Sequence, residues 1–172
     1  SHTYDVFHTL TTNGFTKTGY TFSGWATSAS GAAVYTNGQS VANLTTVNNA
    51  TITLYAKWTP NTYTITYNGN GATGGSTVNS SHTYDVTSAL TPNGFTLANS
   101  LFLGWSTTPT GEIEYTDGQD VINLTEENYA TIPLYAQWGK FYRLYSDQEG
   151  GDNDFISNVL FYDGHFSLYH PA

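Results

Sequence analysis

The chain has 172 residues, enough for one ordinary domain or two small ones, and 16% of them are aromatic, with Tyr alone occurring 14 times. Only 10% are charged, and 4 Lys plus Arg against 13 Asp plus Glu give a net charge of -9, which argues against nucleic-acid and anionic-membrane partners because both require clustered basic residues. The absence of Cys excludes disulfides, thiolate metal sites and cysteine nucleophiles.

The rest of the composition, rich in Thr, Ser, Asn and Gly, is typical of short strands joined by polar turns, so we expect no long helix. A chain without Cys or Met and with little Lys is also typical of a surface protein exposed to oxidants and proteases. We therefore expect an extracellular or cell-surface location. No transmembrane run or signal peptide is visible, so we expect no membrane insertion within this chain, and any targeting segment has been removed or lies outside it.

One sequence unit occurs twice in the chain. Residues 1–6 recur as residues 81–86, and the offset of 80 positions then holds without a gap. The two copies are therefore duplicated structural units. Further matching segments are residues 13–16 with 93–96, residues 22–25 with 102–105, and residues 51–58 with 131–138.

Strand patterns run along both copies. Apolar and polar side chains alternate over residues 51–58, which predicts a strand with one buried face. The same alternation over residues 62–67 predicts another strand, and Asn-Gly-Asn-Gly at residues 68–71 predicts a sharp turn. In the second copy, residues 119–124 place apolar residues three apart after Asp120, which predicts one short helical turn with an N-cap.

The C-terminal tail contains further strand patterns. Residues 139–145 follow Trp138 much as residues 59–67 follow Trp58, so they read like the first strand of a third repeat. Residues 158–162 and 165–169 flank Asp163-Gly164, which predicts a hairpin around a type I′ turn.

Three segments carry a resemblance to a known family: Tyr-Thr-Ile-Thr-Tyr-Asn-Gly-Asn-Gly, Gly-Tyr-Thr-Phe-Ser-Gly-Trp and Ile-Thr-Leu-Tyr-Ala-Lys-Trp. They resemble the Listeria-Bacteroides repeat, the internalin-type B-repeat family, over residues 1–139. The resemblance implies small β-grasp-like modules that stand in tandem on bacterial surface proteins and are not associated with catalysis. The second copy departs from the first at Asn99-Ser100-Leu101, where the first has Gly-Tyr-Thr.

We therefore expect a mainly β protein, α+β at most, built from two tandem β-grasp-like modules with minimal helix and a β-hairpin tail. Residues 1–59 form a first module that lacks its first strand, residues 60–139 form a complete second module, and residues 140–172 form the tail. The strand that opens the repeat in this family corresponds here to residues 63–67, and only the second module has it.

A sheet that lacks one strand exposes unpaired backbone groups and an apolar groove, and such an edge tends to recruit a strand. One hypothesis is that the tail of one subunit completes the first module of the next, which would make a head-to-tail filament of copies of the chain. The alternative, which we favour, is that the tail folds back on the second module. The predicted subunit-contact residues are Phe141, Tyr142, Leu144, Tyr145, Val159, Phe161, Phe166 and Leu168.

Two groups of residues are candidate metal sites. Asp147, Glu149, Asp152 and Asp154 could gather oxygen ligands for Ca²⁺ on a Gly-containing loop, although their spacing matches no EF-hand and a solvated turn is the preferred interpretation. The five His residues lack zinc-site spacing. We expect no other cofactor.

Catalytic motifs are absent from the sequence, so we expect no enzyme activity. The four Trp residues fit core packing better than a sugar-stacking platform, because aromatics dominate the burial of small domains. Four sequons make surface-turn glycan acceptors if the producing cell has the pathway, and they begin at Asn43, Asn49, Asn79 and Asn123.

The sequence therefore favours an extracellular structural or adhesive repeat protein, with self-assembly into filaments as one form of that role. The alternative is a surface module that recognises a host protein or glycan through exposed tyrosines, for which Tyr55 and Tyr135 are the candidates.

Overall fold

A computed structural model of the chain describes residues 2–145 and 155–168. All regular structure in these residues is β-strand, and no helix occurs among them, which confirms the predicted mainly β class. In chain order the strands are β1 (His8–Thr9), β2 (Tyr20–Ala26), β3 (Ser40–Val41), β4 (Tyr55–Pro60), β5 (Thr62–Asn68), β6 (Gly74–Gly75), β7 (Ser80–Thr83), β8 (Ser88–Ala89), β9 (Phe95–Thr96), β10 (Ser100–Ser106), β11 (Asp120–Val121), β12 (Thr131–Tyr145), β13 (Phe155–Tyr162) and β14 (His165–Leu168).

The helical turn predicted over residues 119–124 is wrong. β11 lies inside that segment and pairs antiparallel with β8, with Asp120 opposite Ala89 and Val121 opposite Ser88. Val121 is buried by this pairing. Apolar residues three apart fit a helical turn, but here the backbone is paired across strands and only one of the apolar residues enters the core.

The chain divides into two compact units. Two loops that belong in sequence to the second repeat lie in the first unit. Unit 1 consists of Ser1–Tyr63, Thr83–Val86 and Asn123–Ala130, and unit 2 consists of Thr64–His82, Thr87–Ile122 and Thr131–Ala172.

Unit 1 is built on the antiparallel pair of β2 and β4, in which Trp25 lies opposite Ala56. A register shift between Phe22 and Gly24 bulges β2 and bends it. The rings of Phe22, Trp25 and Trp58 pack edge-on, with centroids 5.1 and 5.6 Å from Phe22. A smaller pair is formed by β1 and β3.

The Gly-Trp motif has the same steric cause in both repeats. Gly24 has a φ of 143° and Gly104 a φ of 155°. A Cβ on either glycine would lie 2.6 Å from the carbonyl oxygen of Tyr35 or Tyr115. The same carbonyl accepts a hydrogen bond of 2.8 Å from the amide of the Trp that follows the glycine. Glycine is therefore required because two backbone segments cross closely at this point.

The largest sheet has the strand order β14-β13-β12-β5-β7, with β10 also paired to β12. β12 pairs in turn with three strands: parallel with β5 from Thr131, antiparallel with β10 up to Lys140, and antiparallel with β13 as far as Tyr145. Where burial is described, the buried hydrophobic residues of unit 2 are Ile65, Tyr67, Leu90, Trp105, Val121, Leu134, Ala136 and Val159.

A short chain of polar groups runs through the interior of unit 2. The Tyr67 hydroxyl lies 3.0 Å from Ser80 Oγ and accepts a hydrogen bond of 2.8 Å from the amide of Thr91. Ser80 Oγ lies 2.9 Å from His82 Nε2. His82 is buried, and burial lowers its pKa below the ordinary value for histidine. Its equivalent in the first repeat, His2, is exposed.

The tail pairs within its own chain, as the fold-back alternative predicts, whereas donation of the tail to a neighbouring copy stays a hypothesis. Lys140 lies opposite Phe161 in the pairing of β12 with β13, and β13 and β14 form the predicted hairpin. Asp163 and Gly164 at its tip both have positive φ, 48° and 74°, as a type I′ turn requires.

Candidate functional site at the edge of the first repeat

Residues 51–54 of the first repeat lie in no strand, whereas the equivalent residues 131–134 form the start of β12. In the second repeat, this stretch pairs in parallel with β5, with Thr131 opposite Thr64 and Leu134 opposite Tyr67. Within the described residues, no strand pairs with residues 51–54. The strand predicted from residue 51 is thus wrong over its first four residues, because a strand requires a partner.

The side chains around this stretch are correspondingly more exposed than their equivalents. Leu134 is 0% exposed, but Leu54 is only partly buried. Trp105 is also 0% exposed, whereas Trp25 is partly buried. Ile52 is 43% exposed. We call residues 51–54 together with the Trp25 side chain the open edge of the first repeat.

The segment that covers the same position in the second repeat is β5 and the turn after it. The Tyr67 ring lies 4.9 Å from the Trp105 ring, and Ile65 of the same strand is fully buried. Trp138 donates its indole N–H to the carbonyl of Gly69, 2.9 Å away. Among the described residues, no strand covers residues 51–54 as β5 covers residues 131–134. The open edge therefore presents to a strand the same kind of backbone and apolar groups that residues 131–134 and Trp105 present to β5.

A second free strand edge lies in the tail. β14 stands at the end of the strand order, so within the described residues its outer side pairs with no strand. Phe166 and Leu168 are more than half exposed there, and the Phe166 ring packs on Phe161 with centroids 4.7 Å apart. β14 is therefore a strand with both unpaired backbone and exposed apolar side chains.

The predicted subunit-contact residues fall into different environments. Val159 is buried in the sheet, and Phe141 and Phe161 are partly buried. Tyr142, Phe166 and Leu168 are exposed and could meet a neighbour. Leu144 and Tyr145 lie in β12, and their side-chain environment is outside the described part of the chain. That these residues contact another subunit stays a prediction.

The sequons also differ in environment. Asn43 donates its side-chain N–H to Asp5 Oδ1 at 2.8 Å, and Asn123 does the same to Asp85 at 2.8 Å. These two amides hold turns together. Asn49 and Asn79 are exposed. Glycan attachment at any of the four stays a prediction.

The proposed calcium ligands Asp147, Glu149, Asp152 and Asp154 lie outside the described residues. Among the residues that are described, no three His, Cys, Asp or Glu side chains gather into a group that could hold a metal ion. The same part of the chain contains no helix that could cross a membrane.

The four Trp side chains belong to two aromatic clusters, one in each unit, as the core-packing interpretation predicts. In unit 2, Phe102 lies 4.9 Å from Trp105 and 5.6 Å from Trp138, ring centre to ring centre. Of the two tyrosines proposed for binding, Tyr55 is 40% exposed and Tyr135 is partly buried.

Sequence reasoning missed the role of Asn61, which is 7% exposed in unit 1. Its amide donates to the carbonyl of Gly19 at 2.8 Å, and its side-chain N–H donates to the carbonyl of Glu126 at 2.7 Å. Its side-chain oxygen accepts a hydrogen bond of 2.6 Å from the Thr21 hydroxyl. A polar residue between two strand patterns was the available signal, but in sequence it reads as an ordinary turn residue.

The comparisons with known proteins agree with the duplicated fold. The family model for the Listeria-Bacteroides repeat domain matches residues 2–57 and again residues 63–137. A protein of Evansella cellulosilytica named "Putative Gly-rich membrane protein" is 32% identical over 139 residues, which is 78% of this chain and 16% of that protein. The chain thus spans about a sixth of that relative, and no solved structure matches it. Such repeats are typical of bacterial surface proteins, and the chain belongs to the Listeria-Bacteroides repeat domain family.

Proposed function

We propose that the chain is a non-enzymatic structural or adhesive element of the bacterial cell surface, and that the open edge of its first repeat accepts a β-strand, which in self-assembly comes from a second copy. The family supports the surface location, and the name of the relative is consistent with it. The observation that carries the proposal is the open edge. Residues 51–54 have no partner strand, whereas the equivalent residues 131–134 pair with β5.

Strand addition at this edge is favourable for two physical reasons. Main-chain hydrogen bonds replace contacts between residues 51–54 and water, and side chains of the incoming strand cover exposed apolar surface. Trp25 and Ile52 supply such surface in the first repeat. The second repeat provides the template, since Ile65 and Tyr67 of its inserted strand are buried.

The donor that we propose for self-assembly is β14 of a second copy. It already stands at a sheet edge with Phe166 and Leu168 exposed, so it can pair without leaving its own sheet. The donor strand β14 lies in the tail, and the acceptor lies in the first repeat. A contact between them is therefore head-to-tail. Such a contact leads to a filament when it does not close on itself.

Proline substitutions in the open edge test the proposal. Successive backbone N–H groups of a strand point to opposite edges. Pro133, the equivalent of residue 53, has no N–H and still pairs with Thr66, so the N–H at this position is not needed for pairing. The N–H of Ile52 points to the opposite edge, where the incoming strand pairs, and Ile52→Pro removes it. We expect the wild-type chain to associate with rising concentration in sedimentation velocity and to form fibres of uniform width in negative-stain images. Ile52→Pro should abolish both.

Thr53→Pro is the matched control and should assemble like the wild type. Thermal unfolding of the three proteins establishes that each is folded. Assembly of Ile52→Pro at the wild-type concentration would show that the open edge is not the acceptor. Dispersed wild-type particles at every concentration would contradict self-assembly.

The alternative function, recognition of a host protein or glycan, is supported by a different residue. Tyr129 is 83% exposed and has a φ of 61°, which is an unusual backbone conformation for a bulky side chain. Strained exposed residues of this kind occur at binding sites. Binding of the dispersed wild-type chain to a glycan array or host-cell extract, with loss of binding in Tyr129→Ala, would favour this alternative.

A further inference from the structure

Unit 1 contains a tyrosine docked on a glycine. A Cβ on Gly19, which has a φ of 71°, would overlap the ring of Tyr84. The Tyr84 amide donates to the carbonyl of Asn61 at 2.8 Å, and its ring meets the Tyr20 ring edge-on at 5.9 Å. Tyr84 belongs in sequence to the second repeat, whereas Gly19 belongs to the first. This contact therefore couples the two repeat sequences.

The residue after the tyrosine completes the contact. The Tyr20 hydroxyl donates to Asp85 Oδ2 at 2.9 Å, and the Lys17 ammonium lies 3.5 Å from the centre of the Tyr20 ring. Hydrogen bonds from the Asn123 side chain and from the Tyr20 hydroxyl lower the pKa of the Asp85 carboxyl below its ordinary value. Tyrosine and aspartate therefore act together as one docking element.

The turn that carries Tyr84 and Asp85 is held by its own side chains. Asp85 has a φ of 61°, its amide donates to Asn123 Oδ1 at 2.6 Å, and the Asn123 side chain donates back to Asp85 Oδ1 at 2.8 Å. The turn is closed further by a hydrogen bond of 3.2 Å from the Val86 amide to the Thr83 carbonyl.

The first repeat has the same turn, and in the described part of the chain no surface covers its tyrosine. Asp5 has a φ of 58°, its amide donates to Asn43 Oδ1 at 2.7 Å, and the Asn43 side chain donates back at 2.8 Å. Val6 donates to the carbonyl of Thr3 at 3.3 Å. Tyr4, the equivalent of Tyr84, is however 57% exposed. We call residues 4 and 5 the free Tyr-Asp turn.

The second repeat of this chain has lost the receiving surface. Asn99 stands where the first repeat has Gly19, with a similar φ of 55°, so its Cβ fills the space that the docked ring needs. Ser100 replaces the tyrosine that binds the aspartate, and Leu97 replaces the lysine. The underlying backbone is retained, because the amide of Phe141 donates to the carbonyl of Asn99 at 2.8 Å.

We propose that the free Tyr-Asp turn is a docking element for another repeat of this family, one that carries Gly, Tyr and Asn at the positions of Gly19, Tyr20 and Asn61. The evidence is the Tyr84 contact itself, which the free turn can reproduce group by group. The second repeat of another copy of this chain is not such a partner, since Asn99 closes its surface. This inference does not depend on the open edge.

The test rebuilds the receiving surface on the second repeat of the full chain, in an Ile52→Pro background that removes strand addition. The variant carries Leu97→Lys, Asn99→Gly, Ser100→Tyr and Phe141→Asn. Its weight-average sedimentation coefficient should rise with protein concentration, whereas Ile52→Pro alone should keep a constant value. Adding Tyr4→Ala should return the rebuilt variant to that constant value.

A smaller variant, Asn99→Gly with Ser100→Tyr, keeps Phe141 and so leaves the tail strand intact if the larger one does not fold. It should associate too, and Tyr4→Ala should again reverse the association. A folded rebuilt variant that stays monomeric, or one that associates equally well with Tyr4→Ala, overturns the proposal. Either result leaves the strand-edge proposal untouched, because that edge is blocked throughout.

Discussion

At the scale of single residues, the two repeats show how one side chain can have opposite environments at equivalent positions. His82 is 1% exposed and lies against Ser80, while its equivalent His2 is exposed. The sequence does not distinguish the two positions, because both histidines belong to the same repeated segment. The structure buries only His82.

The buried position of His82 predicts that the stability of the protein depends on pH. Burial lowers the pKa of His82 in the folded state, whereas in the unfolded chain it titrates near 6.5. Below that value the unfolded state binds more protons than the folded state, so stability falls as the pH falls through about 6.5. We expect the melting temperature to decrease between pH 7 and pH 5 in the wild type, and to decrease less in His82→Gln.

His2→Gln serves as the control for that experiment and should retain the pH dependence of the wild type. His82→Gln is expected to melt at a lower temperature at pH 7, because the contact with Ser80 is lost, but its curve against pH should be flatter. A melting temperature that depends on pH equally in all three proteins would assign the effect to other groups.

At the scale of strands, the sequence predicted where strands can form but not where they find partners. Residues 51–58 and 131–138 carry the same alternating pattern, yet only the second copy is a strand along its whole length. The pattern reports which face is apolar, whereas pairing depends on a segment distant in sequence. The Asp163-Gly164 hairpin was predictable because its partner strands are adjacent.

The difference between the two repeats predicts that the same Leu-to-Ala substitution lowers the free energy of unfolding by different amounts at the two equivalent positions. Leu134 is fully buried beside β5, so Leu134→Ala should lower the free energy of unfolding by about 2–5 kcal/mol. The equivalent Leu54 is only partly buried, so Leu54→Ala should cost about 1 kcal/mol. Urea unfolding of the two variants and the wild type measures both values. Equal losses would mean that Leu54 is covered in solution, as it would be in an assembled chain.

At the scale of the whole molecule, sequence reasoning identified the duplication, the family and the mainly β class. That the first module lacks its first strand stays a prediction. Sequence reasoning could not identify the Tyr84 contact. The signal in the sequence was that Asn99 stands where the first repeat has Gly19. The need for glycine is clear only from the structure, in which the Tyr84 ring occupies the space of a Cβ on Gly19.

The net charge of the chain sets a further expectation for assembly. Each copy carries -9 at pH 7, so copies repel one another over the screening distance of the solution. That distance falls from about 30 Å at 10 mM salt to about 10 Å at 100 mM. If assembly depends on strand pairing and apolar contact at the open edge, added salt removes the repulsion and leaves the attraction.

We therefore expect NaCl to strengthen association of the wild-type chain in sedimentation velocity over this range, while Ile52→Pro stays monomeric at both salt concentrations. Lowering the pH toward the sequence pI of about 4.6 should act in the same direction, because it reduces the charge. Weaker association at higher salt would instead show that ion pairs hold the copies together. Since strand pairing and apolar contacts do not weaken over this salt range, that result would exclude them as the dominant attraction.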